Sequence, residues 1–136
     1  MDKVTLFWFR RDLRLSDNIG LFMAYENEKN VLPLFIFDEE ILNKLENKKD
    51  ARVQFILEQI NKIHEELKNY DSSIVVKLGK PLSIFSELTK EFDIQNVYTN
   101  RDYEPYAKQR DNAVEKFLAD KDIPFYDFKD QVIFEK

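Results

Sequence analysis

Cysteine is absent from the chain, and His64 is the sole histidine. Disulfides and thiolate zinc sites are therefore excluded, and one imidazole offers little to a transition metal. No Ser-His-Asp or Cys-His set is available for covalent hydrolysis. Glycine is almost as scarce, with Gly20 and Gly79 the only two in 136 residues. A phosphate cradle needs glycines so that backbone amides can approach the anion, and neither G-x-G-x-x-G nor G-x-x-x-x-G-K-[ST] occurs. No apolar run approaches the ~18 residues of a membrane helix. The N-terminal apolar run is shorter than the core of a secretory signal and follows no basic segment, so a cytoplasmic location without membrane attachment is expected.

What is present suits one domain over residues 1–136. The chain is 43% hydrophobic with 12 phenylalanines, enough for a core, and 35% charged, enough for solubility. A chain of this length buries roughly two thirds of its unfolded surface. Net charge is −5, and acidic residues run from Asp38 to Glu66 and again after Asp102, so the domain is expected to repel a phosphate backbone.

Val4 to Phe9 is apolar, rich in β-branched and aromatic residues, and too short for a helix, which predicts a strand buried on both faces. Asp17 to Glu28 predicts a helix on Ile19, Phe22 and Met23 with Asp17 as N-cap, and Val31 to Phe37 a second buried strand. Val53, Ile56, Leu57, Ile60, Ile63 and Leu67 recur at helical spacing, with His64 at the edge of the same stripe. Ile74 to Leu78 reads as a third strand. Gly79-Lys80-Pro81 then turns the chain into a helix carrying Leu82, Phe85, Leu88 and Phe92. A strand at Asn96 to Thr99, a helix at Pro105 to Ala119 and a strand at Phe125 to Phe128 complete the alternation.

Five strands alternating with helices predict a Rossmann-like three-layer α/β/α fold, its five-stranded parallel sheet in the order 3-2-1-4-5. In that order the first and fourth strands are neighbours whose following segments diverge, and ligands bind in the crevice at their carboxyl ends. The two most polar junctions fall there. One is Arg10-Arg11-Asp12-Leu13-Arg14, the other Asn100-Arg101-Asp102-Tyr103-Glu104-Pro105-Tyr106. Arginine donors on one lip and Asp102 and Glu104 acceptors on the other suit the edge of a flat polar heterocycle. A purely structural role fits the same spacing: Arg14 with Asp12 or Asp17 would tie down a loop, and Glu104 would stabilise a helix N-terminus. Arg110 and Asp111 read as a solvated face or a local ion pair.

The run Phe7-Trp8-Phe9-Arg10-Arg11-Asp12-Leu13-Arg14-Leu15-Ser16-Asp17-Asn18 resembles the opening signature of the DNA photolyase and cryptochrome family. Leu32 to Asp38, Asp50-Ala51-Arg52-Val53, Gly79-Lys80-Pro81, and Asp102 to Tyr106 with Arg110-Asp111 extend the resemblance over the whole chain. It implies the N-terminal antenna-chromophore domain of a class I photolyase-like protein. In that family a reduced FAD in a C-terminal helical domain splits pyrimidine dimers in damaged DNA. That domain has no counterpart in these 136 residues. The resemblance therefore implies a non-catalytic light-harvesting module whose partners are its own FAD domain and, through it, damaged DNA. No metal is implied.

Members that bind 8-hydroxy-5-deazaflavin resemble this chain at Arg11, Asp102 and Glu104, with Phe35 and Arg52 as neighbours of the site. Folate-binding members, which hold methenyltetrahydrofolate, commonly carry an Asn-Glu pair where Tyr106 and Ala107 stand, so deazaflavin is favoured over folate or FMN. The competing expectations are a cryptochrome-type photoreceptor domain, a nucleotide-binding α/β domain acting at Arg10 and Arg11, and an interaction domain whose terminal Val132, Ile133 and Phe134 face a partner.

Overall fold

The computed structural model describes residues 3–9, 18–37, 51–70, 73–100 and 105–128, with backbone alone at 51–53, 70 and 105–108. The elements in chain order are β1 (Lys3–Phe9), α1 (Ile19–Asn27), β2 (Val31–Phe37), α2 (Ala51–Leu67), β3 (Val75–Leu78), α3 (Pro81–Glu91), β4 (Asp93–Asn100), α4 (Pro105–Asp120) and β5 (Phe125–Phe128). A single 3₁₀ turn, Lys68–Tyr70, follows α2. All pairings are parallel and the strand order is β3-β2-β1-β4-β5, as the alternation predicts.

Side chains alternate across a strand, so β1 feeds two cores at once. Val4, Leu6 and Trp8 join Leu34, Ile36, Val97, Ile84, Phe85, Leu88, Val114 and Leu118 beneath α3 and α4. Phe7 and Phe9 join Leu21, Ala24, Phe35, Ile60, Ile63, Leu67 and Tyr98 beneath α1 and α2. This double burial is why the N-terminal run is continuously apolar rather than alternating.

The ladder between β1 and β4 is not uniform. Val4 lies opposite Ile94 but Thr5 opposite Asn96, so Gln95 is an extra residue on β4. Just beyond this bulge the Thr5 hydroxyl donates to the Asn96 side-chain carbonyl, a buried pair that occupies both groups. At the β3 edge of the sheet Gly79, with φ of 149°, turns the chain out of β3 while its amide donates to the Phe37 carbonyl at 2.9 Å. Pro81 then opens α3, where a missing N–H costs nothing.

Four local expectations are corrected. The N-cap of α1 is Asn18 and not Asp17: its side chain accepts from the Leu21 amide at 3.1 Å, and Asp17 itself lies outside the described residues. The buried stripe of α1 is Gly20, Leu21 and Ala24, while Ile19 and Phe22 point outward, Phe22 being 61% exposed. The helix is rotated because glycine and alanine let its backbone approach β1 and β4 closely, whereas the larger Phe22 has no room beneath it. β4 begins at Asp93 rather than Asn96, since the bulge carries the ladder past the polar pair Gln95-Asn96. Leu57 on α2 and Leu82 on α3, both counted in apolar stripes above, are also largely exposed.

Candidate functional site

The switch point of the sheet lies between β1 and β4, which are adjacent while the helices that follow them, α1 and α4, pack on opposite faces. Segment 10–17 leaves β1 after Phe9 and ends at Asn18; segment 101–104 leaves β4 after Asn100 and ends at Pro105. Arg10, Arg11, Asp102 and Glu104 belong to those two segments and lie outside the described residues. Arg52 sits in the first turn of α2, where only the backbone is described. Phe35 stands on β2 opposite Phe9, 7% exposed, its ring edge-on to Phe37 with centroids 4.9 Å apart. It walls the core under α1 and α2.

What the structure shows in full are the roots of both segments, and they are tied together. The Asn100 side-chain amide donates to Oδ1 of Asn18 at 2.7 Å, while Oδ1 of Asn100 accepts the Gly20 backbone amide at 2.8 Å. Oδ1 of Asn18 also caps α1 through the Leu21 amide. Next to this pair the Thr99 hydroxyl donates to the Trp8 carbonyl at 2.8 Å, joining the last turns of β4 and β1. Asn18, Thr99 and Asn100 are all buried. The close fit depends on Gly20: a Cβ there would lie 2.6 Å from Oδ1 of Asn100 and 3.0 Å from Cε1 of Phe7.

Sequence patterns missed this set. Asn18 and Asn100 stand 82 positions apart, and a polar amide carries no signature of its partner. The available signal was Gly20 itself, one of two glycines, in the first turn of a helix where alanine would be the better helix former.

Below the crevice, Tyr98 reaches across to α1, its hydroxyl donating to the Glu28 carboxylate at 2.9 Å. Its ring stacks on Phe128 at 5.9 Å and meets Tyr126 at 5.0 Å. Burial, then the hydrogen bond to Glu28 and its charge, push the phenol up to about 12 from an ordinary value of 10. Between those two values the folded chain holds a proton that the unfolded chain has released. Stability is therefore complete below pH 10 and declines as pH rises to about 12, by on the order of 2 kcal/mol. Urea midpoints at pH 9 and 11.5 are expected to differ by more in the wild type than in Tyr98→Phe, which has no phenol to titrate at this position.

On the opposite face Arg110 lies over the Trp8 ring, its guanidinium carbon 5.3 Å from the centroid, with Asp111 3.7 Å from its Nε. The side chains are 13% and 15% exposed, so this is a local ion pair rather than a solvated face. His64 is half-buried at the edge of α2, as its place on the stripe suggests. Among the described residues no group of three or more histidine, aspartate or glutamate side chains is placed to hold a metal. No helix among them is long and apolar enough to cross a membrane.

The described residues at the crevice contribute amides, hydroxyls and aromatic rings, the makings of a rigid frame around a ligand. A doubly wound parallel sheet of this order defines a Rossmann-like α/β domain, a class in which ligands bind at the switch point, here between β1 and β4. The family model for DNA photolyase matches residues 5–136, and the chain belongs to that family. A deoxyribodipyrimidine photo-lyase from Synechococcus is 33% identical over 94% of this chain, which covers 26% of the relative. Cryptochrome-1 from Spalax judaei is 28% identical over 85% of this chain, covering 20% of the relative.

Among solved structures, an archaeal photolyase from Sulfolobus tokodaii, described with two FAD molecules and as implying a novel light-harvesting cofactor, superposes with a TM-score of 0.82 and 31% identity. It is matched over 95% of this chain and 29% of its own. A class III photolyase from Agrobacterium tumefaciens superposes at 0.79 with 25% identity, over 95% of this chain and 26% of its own. The chain thus spans about a quarter of the length of these relatives and corresponds to the family's N-terminal α/β domain, the one that binds an antenna chromophore.

Proposed function

We propose that the chain is the light-harvesting domain of a photolyase that repairs pyrimidine dimers, holding a flat chromophore between the segment bearing Arg11 and the segment bearing Asp102 and Glu104. The observation that supports this reading is the tie between Asn18 and Asn100, which brings the roots of both segments together. Arg11 supplies charged donors to the chromophore, Asp102 and Glu104 supply acceptors, and Phe35 and Arg52 belong to the surroundings. An antenna needs fixed distance and orientation and exclusion of water, with no acid or base, which suits a frame of amides, hydroxyls and rings. The partner is a FAD domain of the kind the full-length relatives imply, and damaged DNA is met through that domain, within the cytoplasm.

The chromophore proposed is 8-hydroxy-5-deazaflavin, on the match at Arg11, Asp102 and Glu104 and on Tyr106-Ala107 in place of the Asn-Glu pair of folate binders. A second reading, FAD in this crevice, is supported by the Sulfolobus relative with its two FAD molecules.

The test is a titration of the chain with 8-hydroxy-5-deazaflavin, FAD, FMN and methenyltetrahydrofolate, followed by absorbance and fluorescence. Saturable binding of deazaflavin ahead of the other three is expected. Arg11→Ala or Asp102→Ala should weaken it about tenfold to a hundredfold, the loss of one charge-assisted hydrogen bond, with the far-ultraviolet circular dichroism unchanged. Loss of helical signal in the variants would return both residues to a purely structural role, and no binding of any of the four would end the antenna reading.

A further inference from the structure

The geometry points to Asn18 and Asn100 as positioning residues: we propose that their side-chain hydrogen bond is a clasp that holds the end of β4 to the start of α1, so that chromophore affinity depends on it. The inference rests on the antenna reading for its ligand but on described atoms for its mechanics. Asn18 is the last link of the segment that carries Arg11, and Asn100 the residue before the segment that carries Asp102. Their amides meet at 2.7 Å in a buried setting, Asn100 being 2% exposed, where a hydrogen bond is directional and hard to replace by water.

Each amide is also held from behind. Oδ1 of Asn100 is fixed by the Gly20 amide, and Oδ1 of Asn18 by the Leu21 amide. Those bonds orient both side chains toward each other, and both donors come from the first turn of α1, so the helix and the end of β4 are fixed at one point. Binding energy that depends on two sets of groups is realised only if their separation is fixed beforehand. Asparagine suits position 100 because its amide donates with one atom and accepts with the other, while Asn18 accepts both bonds at Oδ1.

Capping and clasping can be separated by choice of substitution. In Asn18→Ser the hydroxyl still caps α1, but it stands one bond closer to the backbone and falls short of Asn100. In Asn18→Asp the carboxylate caps α1 and still accepts from the Asn100 amide. Because the chain has only Gly20 and Gly79, protein labelled with ¹⁵N-glycine gives two amide signals, and the Gly20 signal reports the Asn100 side chain directly.

The expected result is that Asn18→Ser binds 8-hydroxy-5-deazaflavin about tenfold more weakly than wild type, the equivalent of one buried hydrogen bond. Amide exchange should accelerate at Gly20 and not at Gly79, while helical content is retained. Asn18→Asp should restore both affinity and protection. Wild-type affinity in Asn18→Ser would overturn the proposal. If the wild type binds none of the four chromophores, the antenna reading fails, and Gly20 exchange alone then decides the clasp: acceleration in Asn18→Ser with rescue by Asn18→Asp supports it, and unchanged exchange overturns it.

Discussion

Trp8→Ala is expected to lower the unfolding free energy by about 3 to 5 kcal/mol, a large share of the ~5–15 kcal/mol that holds a domain together. Trp8 sits on the central strand, 2% exposed, its ring edge-on to Phe85 with centroids 5.0 Å apart. Truncation removes a large apolar surface and leaves a cavity between β1 and α3 that backbone relaxation fills only in part. It also withdraws the ring beneath the Arg110 guanidinium, a contact worth roughly 0.5 to 2 kcal/mol. Since Trp8 is the only tryptophan, its variants lose the usual fluorescence signal, and denaturant midpoints are best read by circular dichroism. Trp8→Phe keeps an aromatic edge against Phe85 and is expected to cost markedly less. A Trp8→Ala loss below 1 kcal/mol would contradict the packing described.

Phe7→Ala should cost a similar 3 to 5 kcal/mol, with a different consequence. Phe7 is fully buried on the other face, edge-on to Phe9 at 4.9 Å, and its ring lies against the first turn of α1. Its removal opens space under Gly20, the residue whose amide holds Asn100. The Gly20 amide signal is therefore expected to shift and chromophore affinity to fall, whereas Trp8→Ala should leave the Gly20 signal in place. Two neighbouring residues of equal structural weight would then be told apart by a reporter on one face. Equal response of the Gly20 signal in both variants would show that the layers are coupled through the sheet.

Much of this fold could be read from the chain because its strongest signals are local. β2 begins and ends where its apolar run does, β5 spans the four residues expected of it, and the strand order follows from a regular alternation and right-handed crossovers. The readings that missed share one cause, which is that tertiary contacts overrode a local pattern. Ile19 and Phe22 have the spacing of a buried stripe, yet α1 turns its smallest residues inward because β1 and β4 come so close. Asp17 and Asn18 are both good caps by type. It is Asn18 that caps α1 and meets Asn100, a choice no local rule contains. Arg11, Asp102 and Glu104 were reached by strand order and resemblance, whereas the amides at the roots of their segments became visible only in three dimensions.

The extra residue on β4 governs which way the end of that strand looks. Ile94 and Val97, three apart, both face α3 and α4, which strict alternation forbids. Gln95 thus acts as a change of parity: past it, every even-numbered residue turns toward α1, and so Tyr98 meets Glu28 and Asn100 meets Asn18. Without that residue the strand could seat Ile94 in its core or Asn100 beneath α1, but not both. Which way Asn100 looks is thus decided at the far end of the strand, at a single position five residues before it.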